Sequence, residues 1–176
     1  MTGLNKGLRK IEVALKWDPS PTGEPPHDLD IVAGTYRAAD PYGEPAYLVH
    51  FDSRSPDGTI NLNRDSRTGQ GLGVDESMTL ELERLSSEYS RVVVGIVIQR
   101  SSGRKAFGDV PNTSVRILNG YTELIKSDFT GVSEATAATV AVFTRDDSGE
   151  WGMQSAFRGF DTDPEDFGRL MGQDYS

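Results

Sequence analysis

Arg91-Val92-Val93-Val94-Gly95-Ile96-Val97-Ile98 (RVVVGIVI) is nearly continuous in β-branched residues. Such a run reads as a central strand buried on both faces. On its C-terminal side, Ser114–Leu118 (SVRIL) and Leu124–Lys126 form a hairpin across Asn119-Gly120, a pair suited to a type I′ turn because both central residues need φ > 0. Ala137–Thr144 (AATVAVFT) and Trp151–Phe157 (WGMQSAF) make a second hairpin, closed by Asp146-Asp147-Ser148-Gly149, with Trp151, Met153 and Phe157 on one face. On the N-terminal side, Met78, Leu80 and Leu82 alternate with polar residues, and Ala46–Phe51 and Ile31–Tyr36 are further strands. Lys10–Trp17 alternates too, with Ile11, Val13, Leu15 and Trp17 on its apolar face. Asp18–Pro26, with four prolines and Gly23, is a loop. One helix signal stands near the end: Asp163 as N-cap, Pro164 at the first position, then Phe167, Leu170 and Met171 at i, i+3, i+4. About nine or ten short strands and frequent turns define an all-β, mainly antiparallel β-sandwich with a short C-terminal helix. Strands that do not alternate with helices disfavour an α/β fold. The expected organisation is one domain over residues 1–176, with 161–175 a helical appendage laid on the sheet.

Composition narrows the function. The 176 residues contain no cysteine and two histidines, His27 and His50, which excludes disulfides, thiolate zinc sites and a cysteine nucleophile. A formal net charge of −9 argues against nucleic acid as a partner, because phosphate contacts need basic patches. It suits cations or a basic partner. No run approaches the eighteen or so apolar residues of a membrane span, and the N-terminus lacks a secretory h-region, so a cytoplasmic address is expected.

The chemistry concentrates in Phe51–Glu76, FDSRSPDGTINLNRDSRTGQGLGVDE. Its 26 residues carry five carboxylates, Asp52, Asp57, Asp65, Asp75 and Glu76, threaded through Gly58, Gly69, Gly71 and Gly73. Calcium takes six to eight oxygens from carboxylates, carbonyls and water, so a loop that binds it needs clustered acids and a backbone that turns sharply between them. The competing reading is a solvated turn. Asp28 and Asp30 lie two apart at a strand start, on one side, where a cation or solvent would relieve their repulsion.

In order and spacing these motifs resemble the TerD family of bacterial tellurium-resistance and stress proteins. KGLRKIEVALKWD is similar to the family's first strand, and Asp28-Leu29-Asp30 sits at its D-L-D. Ser55-Pro56-Asp57-Gly58-Thr59 matches S-P-D-G-S/T, Arg64-Asp65-Ser66-Arg67-Thr68-Gly69 corresponds to G-D-N-x-T-G, and Val74-Asp75-Glu76 falls on D-D-E. Phe107-Gly108-Asp109-Val110-Pro111-Asn112, Arg116-Ile117-Leu118-Asn119 and Gly149-Glu150-Trp151 resemble F-G-x-V-x-N, R-I-x-N and G-E-W. The resemblance implies a β-sandwich that binds calcium through the acidic loop and the D-L-D pair. It also implies a cytoplasmic, non-enzymatic role in responses to tellurite and other stresses, with other stress-response proteins or the inner-membrane surface as partners. Arg64, Ser66 and Val74 depart from the family pattern at the site, while Asp52 adds a charge.

The leading expectation is a calcium-binding stress protein whose ligands are Asp28, Asp30, Asp57, Asp65, Asp75 and Glu76, with Asp52 in reserve and carbonyls of the glycine-rich segment, including Gly69 and Gly71, completing the shell. The alternative is a calcium-dependent protein- or membrane-interaction module in bacterial signalling. A hydrolase with paired acids is a third class, but the chain shows no serine–histidine–acid set. Trp17, Phe107, Phe143, Trp151 and Phe157 are expected in the core. Arg116, in an apolar strand, must be paired or edge-exposed, with Asp109 a candidate partner.

Overall fold

The computed structural model describes residues 7–64, 75–100 and 103–173. Its elements in chain order are β1 (Lys10–Lys16), β2 (Leu29–Arg37), β3 (Tyr47–Val49), β4 (Ile60–Arg64), β5 (Glu76–Glu81), β6 (Tyr89–Ile98), β7 (Ser114–Asn119), β8 (Thr122–Asp128), β9 (Ala137–Arg145), β10 (Trp151–Phe160) and α1 (Pro164–Leu170). The strands form two five-stranded sheets, ordered β4-β5-β1-β7-β8 and β10-β9-β6-β2-β3, and every pairing is antiparallel. The two sheets pack face to face as the expected sandwich.

β6 lies at the centre of its sheet, and its residues divide by parity. Val92, Val94, Ile96 and Ile98 join Ile11, Val13 and Leu15 of β1 in the core between the sheets. Val93 and Val97 point the other way, into a second cluster with Val32, Tyr36, Phe167 and Met171. The outer face is therefore covered by α1, which is why RVVVGIVI needs no polar row. Gly95 lets the helix approach: a Cβ there would lie 2.5 Å from Phe167 Cζ. Asp163 caps the helix, its Oδ1 accepting from Asp166 N at 2.8 Å, and Pro164 occupies the first turn as expected.

Three local readings change. Asn119 pairs with Thr122, so the β7–β8 turn centres on Gly120 and Tyr121 rather than on Asn119 and Gly120. Gly120 has φ +62°, and among the described residues only Asn112 shows positive φ outside glycine, so the turn follows the II′ pattern. Arg116 pairs with Glu123 across that hairpin at 2.8 Å and is half exposed. Asp109 instead accepts from Ala106 N. Within the acidic stretch, Ile60-Asn61-Leu62-Asn63-Arg64 forms a strand, with Ile60 buried and Asn61 and Asn63 exposed. The aromatic expectation holds: Trp17, Phe107, Phe143 and Trp151 are buried, and Phe157 packs against the same core.

Candidate metal site

The start of β2 is where the two sheets exchange side-chain contacts. β2 pairs with β6 from Leu29↔Ile98 to Arg37↔Tyr89, but with β3 only at Ala33, Gly34 and Thr35. Beyond β3, the Ile31 N–H donates to a side chain, Glu76 Oε1, at 2.6 Å. Glu76 opens β5 in the facing sheet, so this hydrogen bond ties the two sheets together at one end.

The neighbouring acids are fixed in the same way. Trp17 N donates to Asp75 Oδ2 at 2.9 Å, and Asp75 N donates to Leu15 O at 3.0 Å. Trp17 Nε1 donates to His27 O at 3.1 Å, which draws the His27-Asp28 step onto the end of β1. Gln99 Nε2 donates to Asp30 Oδ2 at 2.6 Å, while Gln99 N donates to Asp28 O at 2.8 Å. Glu76, Asp75 and Asp30 are 0%, 1% and 2% exposed, and Oδ1 of half-buried Asp28 is shielded from solvent.

Taking a carboxylate out of water costs several kcal/mol unless hydrogen bonds or a counter-charge compensate. Here the hydrogen-bond donors just described are neutral backbone and amide groups. A carboxylate presents about four lone-pair directions, so one such bond is compatible with coordination through others. The set is all oxygen, as a hard cation requires and zinc does not. Burial lowers the imidazole pKa of both histidines, with Lys105, whose Nζ is 3.1 Å from His27 Nδ1, adding to the effect at His27.

The expected ligands divide. Asp28, Asp30, Asp75 and Glu76 gather at this end, and exposed Asp52 lines a cleft together with Asp30. Asp57 does not join them. Its Oδ1 accepts from Thr59 N and Oγ1, and Glu81 N donates to Thr59 O, which places it beyond the far end of β5 from Glu76. The five steps from Glu76 to Glu81 span about 17 Å at the usual rise. Asp65, Gly69 and Gly71 lie outside the described residues, as do Ser66, Val74 and the Arg64 side chain. Among the described residues, no three histidine, aspartate or glutamate side chains are grouped so as to hold a metal ion. A calcium shell at this end therefore needs further oxygens from residues 65–74 or water.

Sequence reasoning missed the groups that position these acids. Gln99, Trp17 N and Ile31 N follow from strand register; the one available signal was Gln99 directly after the central strand.

An antiparallel sandwich with buried carboxylates drawn to one end by both sheets is the class these features define. A family model described as the TerD domain matches residues 1–167, and the chain belongs to that family. The tellurium resistance protein TerD of Serratia marcescens is 27% identical over 164 residues, covering 87% of this chain and 82% of that one. General stress protein 16U of Bacillus subtilis (strain 168) is 28% identical over 166 residues, covering 91% and 86%. The crystal structure of a TerD homologue from Streptomyces coelicolor A3(2) superposes with a TM-score of 0.93 at 56% identity, covering 95% of this chain and 99% of that one.

Proposed function

We propose that this chain is a calcium-binding, non-enzymatic stress-response protein of the tellurium-resistance type. The observation that carries the reading is the convergence of buried Asp30, Asp75 and Glu76 from β2 and the start of β5 on one end of the sandwich, with Asp28 beside them. The glycine-rich segment that includes Asp65, Gly69 and Gly71 enters β5 directly through Asp75 and Glu76. Bound there, calcium would place positive charge among these carboxylates and be coordinated by oxygens alone. The residues of the chain do the rest: Gln99 orients Asp30, Trp17 N orients Asp75, and Glu76 holds β2 against β5. Asp52, which lines a cleft together with Asp30, stands in reserve as a further oxygen donor. The family's names for its members, tellurium resistance and general stress, motivate the process. A cytoplasmic address and partners among stress-response proteins or at the inner-membrane surface belong to the same proposal. Among the described residues, no helix is long and apolar enough to cross a membrane.

Thermal unfolding in calcium and in chelator, at low magnesium, tests the ion. At a hundredfold excess over Kd, calcium binding adds about 2.7 kcal/mol to stability, or about 5–10 °C in Tm for a chain of this size. Asp30→Asn should remove most of that increment. Identical melts in both conditions would overturn the reading.

A further inference from the structure

The loop before β2 ends in Pro25-Pro26-His27, directly ahead of Asp28. Proline carries no N–H, so this backbone is tied to the rest of the fold through its carbonyls. Lys105, far along the chain, reaches it: Nζ donates to Pro25 O at 3.2 Å and to Pro26 O at 3.3 Å, and lies 3.1 Å from His27 Nδ1. An ammonium has three protons and accepts nothing, so each proton meets one acceptor and Nδ1 is the accepting nitrogen of a neutral ring.

The half-buried lysine stands on a firm base. Ala106 N donates to Asp109 Oδ2, Phe107 N to Ala135 O and Gly108 N to Ser133 O, and buried Phe107 stacks on Phe129 with ring centroids 4.5 Å apart. His27, only 6% exposed, is also held through its carbonyl by Trp17 Nε1. One side chain thus pins three consecutive residues ahead of Asp28, while Gln99 N holds Asp28 O. A positive charge near a cation site also repels the ion. Positioning and repulsion therefore act on affinity with opposite signs.

We infer that Lys105 is a positioning residue for calcium: by holding Pro25, Pro26 and His27 it sets the place of Asp28, and this outweighs its repulsion of the ion. The inference rests on the calcium reading above, and the natural chain's own titration separates the failure of one from the failure of the other.

Calcium titration of the full chain compares the natural protein with Lys105→Met, with Arg104→Met, and with Lys105→Cys alkylated by 2-bromoethylamine. Because the chain has no cysteine, alkylation is directed to position 105, where it restores an ammonium on a stem of the same length. Calcium should bind about tenfold more weakly to Lys105→Met, the lower end of the usual effect of groups that orient metal ligands, and the restored ammonium should recover the loss. Arg104→Met removes an exposed neighbouring charge that contacts Asp161 and Glu134 O, and should leave binding unchanged or slightly tighter. Urea midpoints in chelator should match across the set. Binding by Lys105→Met as tight as, or tighter than, that of the natural chain would overturn the inference while leaving the calcium reading in place. So would a loss that the restored ammonium does not recover, or a urea midpoint that falls in step with affinity, since the role would then be the stability of the fold. A natural chain without saturable calcium binding would overturn both.

Discussion

Glu76 shows why a carboxylate can be buried here at all. Its Oε1 accepts the Ile31 N–H, a donor at the point where β3 no longer pairs with β2. Glu76→Ala should therefore cost about 1–3 kcal/mol, the penalty for stranding a buried donor. The loss should persist in chelator, as urea denaturation with and without calcium would show. Tyr47 makes a separate point. Burial is the largest influence on its phenol and raises its pKa above the ordinary value of 10.0. The folded state then holds that proton more tightly than the unfolded chain, so the contribution is fully present below pH 10 and lost as pH rises through the folded value. Urea midpoints should fall above about pH 10, and more shallowly in Tyr47→Phe. At this scale the sequence marked the acids but not the groups that hydrogen-bond to them. Asp28 and Asp30 stood out by their spacing, while the hydrogen bonds that orient Asp30 and Asp75 come from Gln99 and Trp17, distant in the chain and unremarkable in composition.

Elements explain the main error in reading the acidic stretch. Five carboxylates in 26 residues suggest one cluster, but β4 runs through the middle of that stretch, paired with β5 from Ile60↔Leu80 to Arg64↔Ser77. A strand carries the chain from one end of the sandwich to the other, so Asp57 and Glu76 finish at opposite ends. The alternation of Ile60 and Leu62 with Asn61 and Asn63 was the signal, masked by the surrounding glycines and acids. The helix, by contrast, was legible at its start and on its apolar face, since Asp163, Pro164, Phe167 and Met171 are local signals, though it spans only Pro164–Leu170 of the expected 161–175. Its packing supplies a sharp prediction: Phe167 is fully buried against Gly95, so Phe167→Ala should cost about 3–5 kcal/mol. Hydrogen exchange should show α1 losing protection before the central strand β6.

Across the whole molecule, two sheets of alternating strands were foreseeable because half-buried strands write their period into the sequence. RVVVGIVI then pointed to a second apolar layer, which α1 provides. Sheet order and register were not legible, because they depend on pairings between distant segments, and it is these pairings that bring β2 of one sheet beside β5 of the other. On this account the buried acids are a structural feature completed by an ion, and calcium should couple the two sheets. Magnesium should substitute poorly, since it demands near-octahedral geometry and gives up water reluctantly. Isothermal titration of the full chain with calcium, alongside magnesium and Asp30→Asn, tests that claim most directly. The account predicts saturable calcium binding of defined stoichiometry, much weaker heat with magnesium and sharply reduced affinity in the variant. Absence of saturable calcium binding by the natural chain, or binding unchanged in Asp30→Asn, would contradict it.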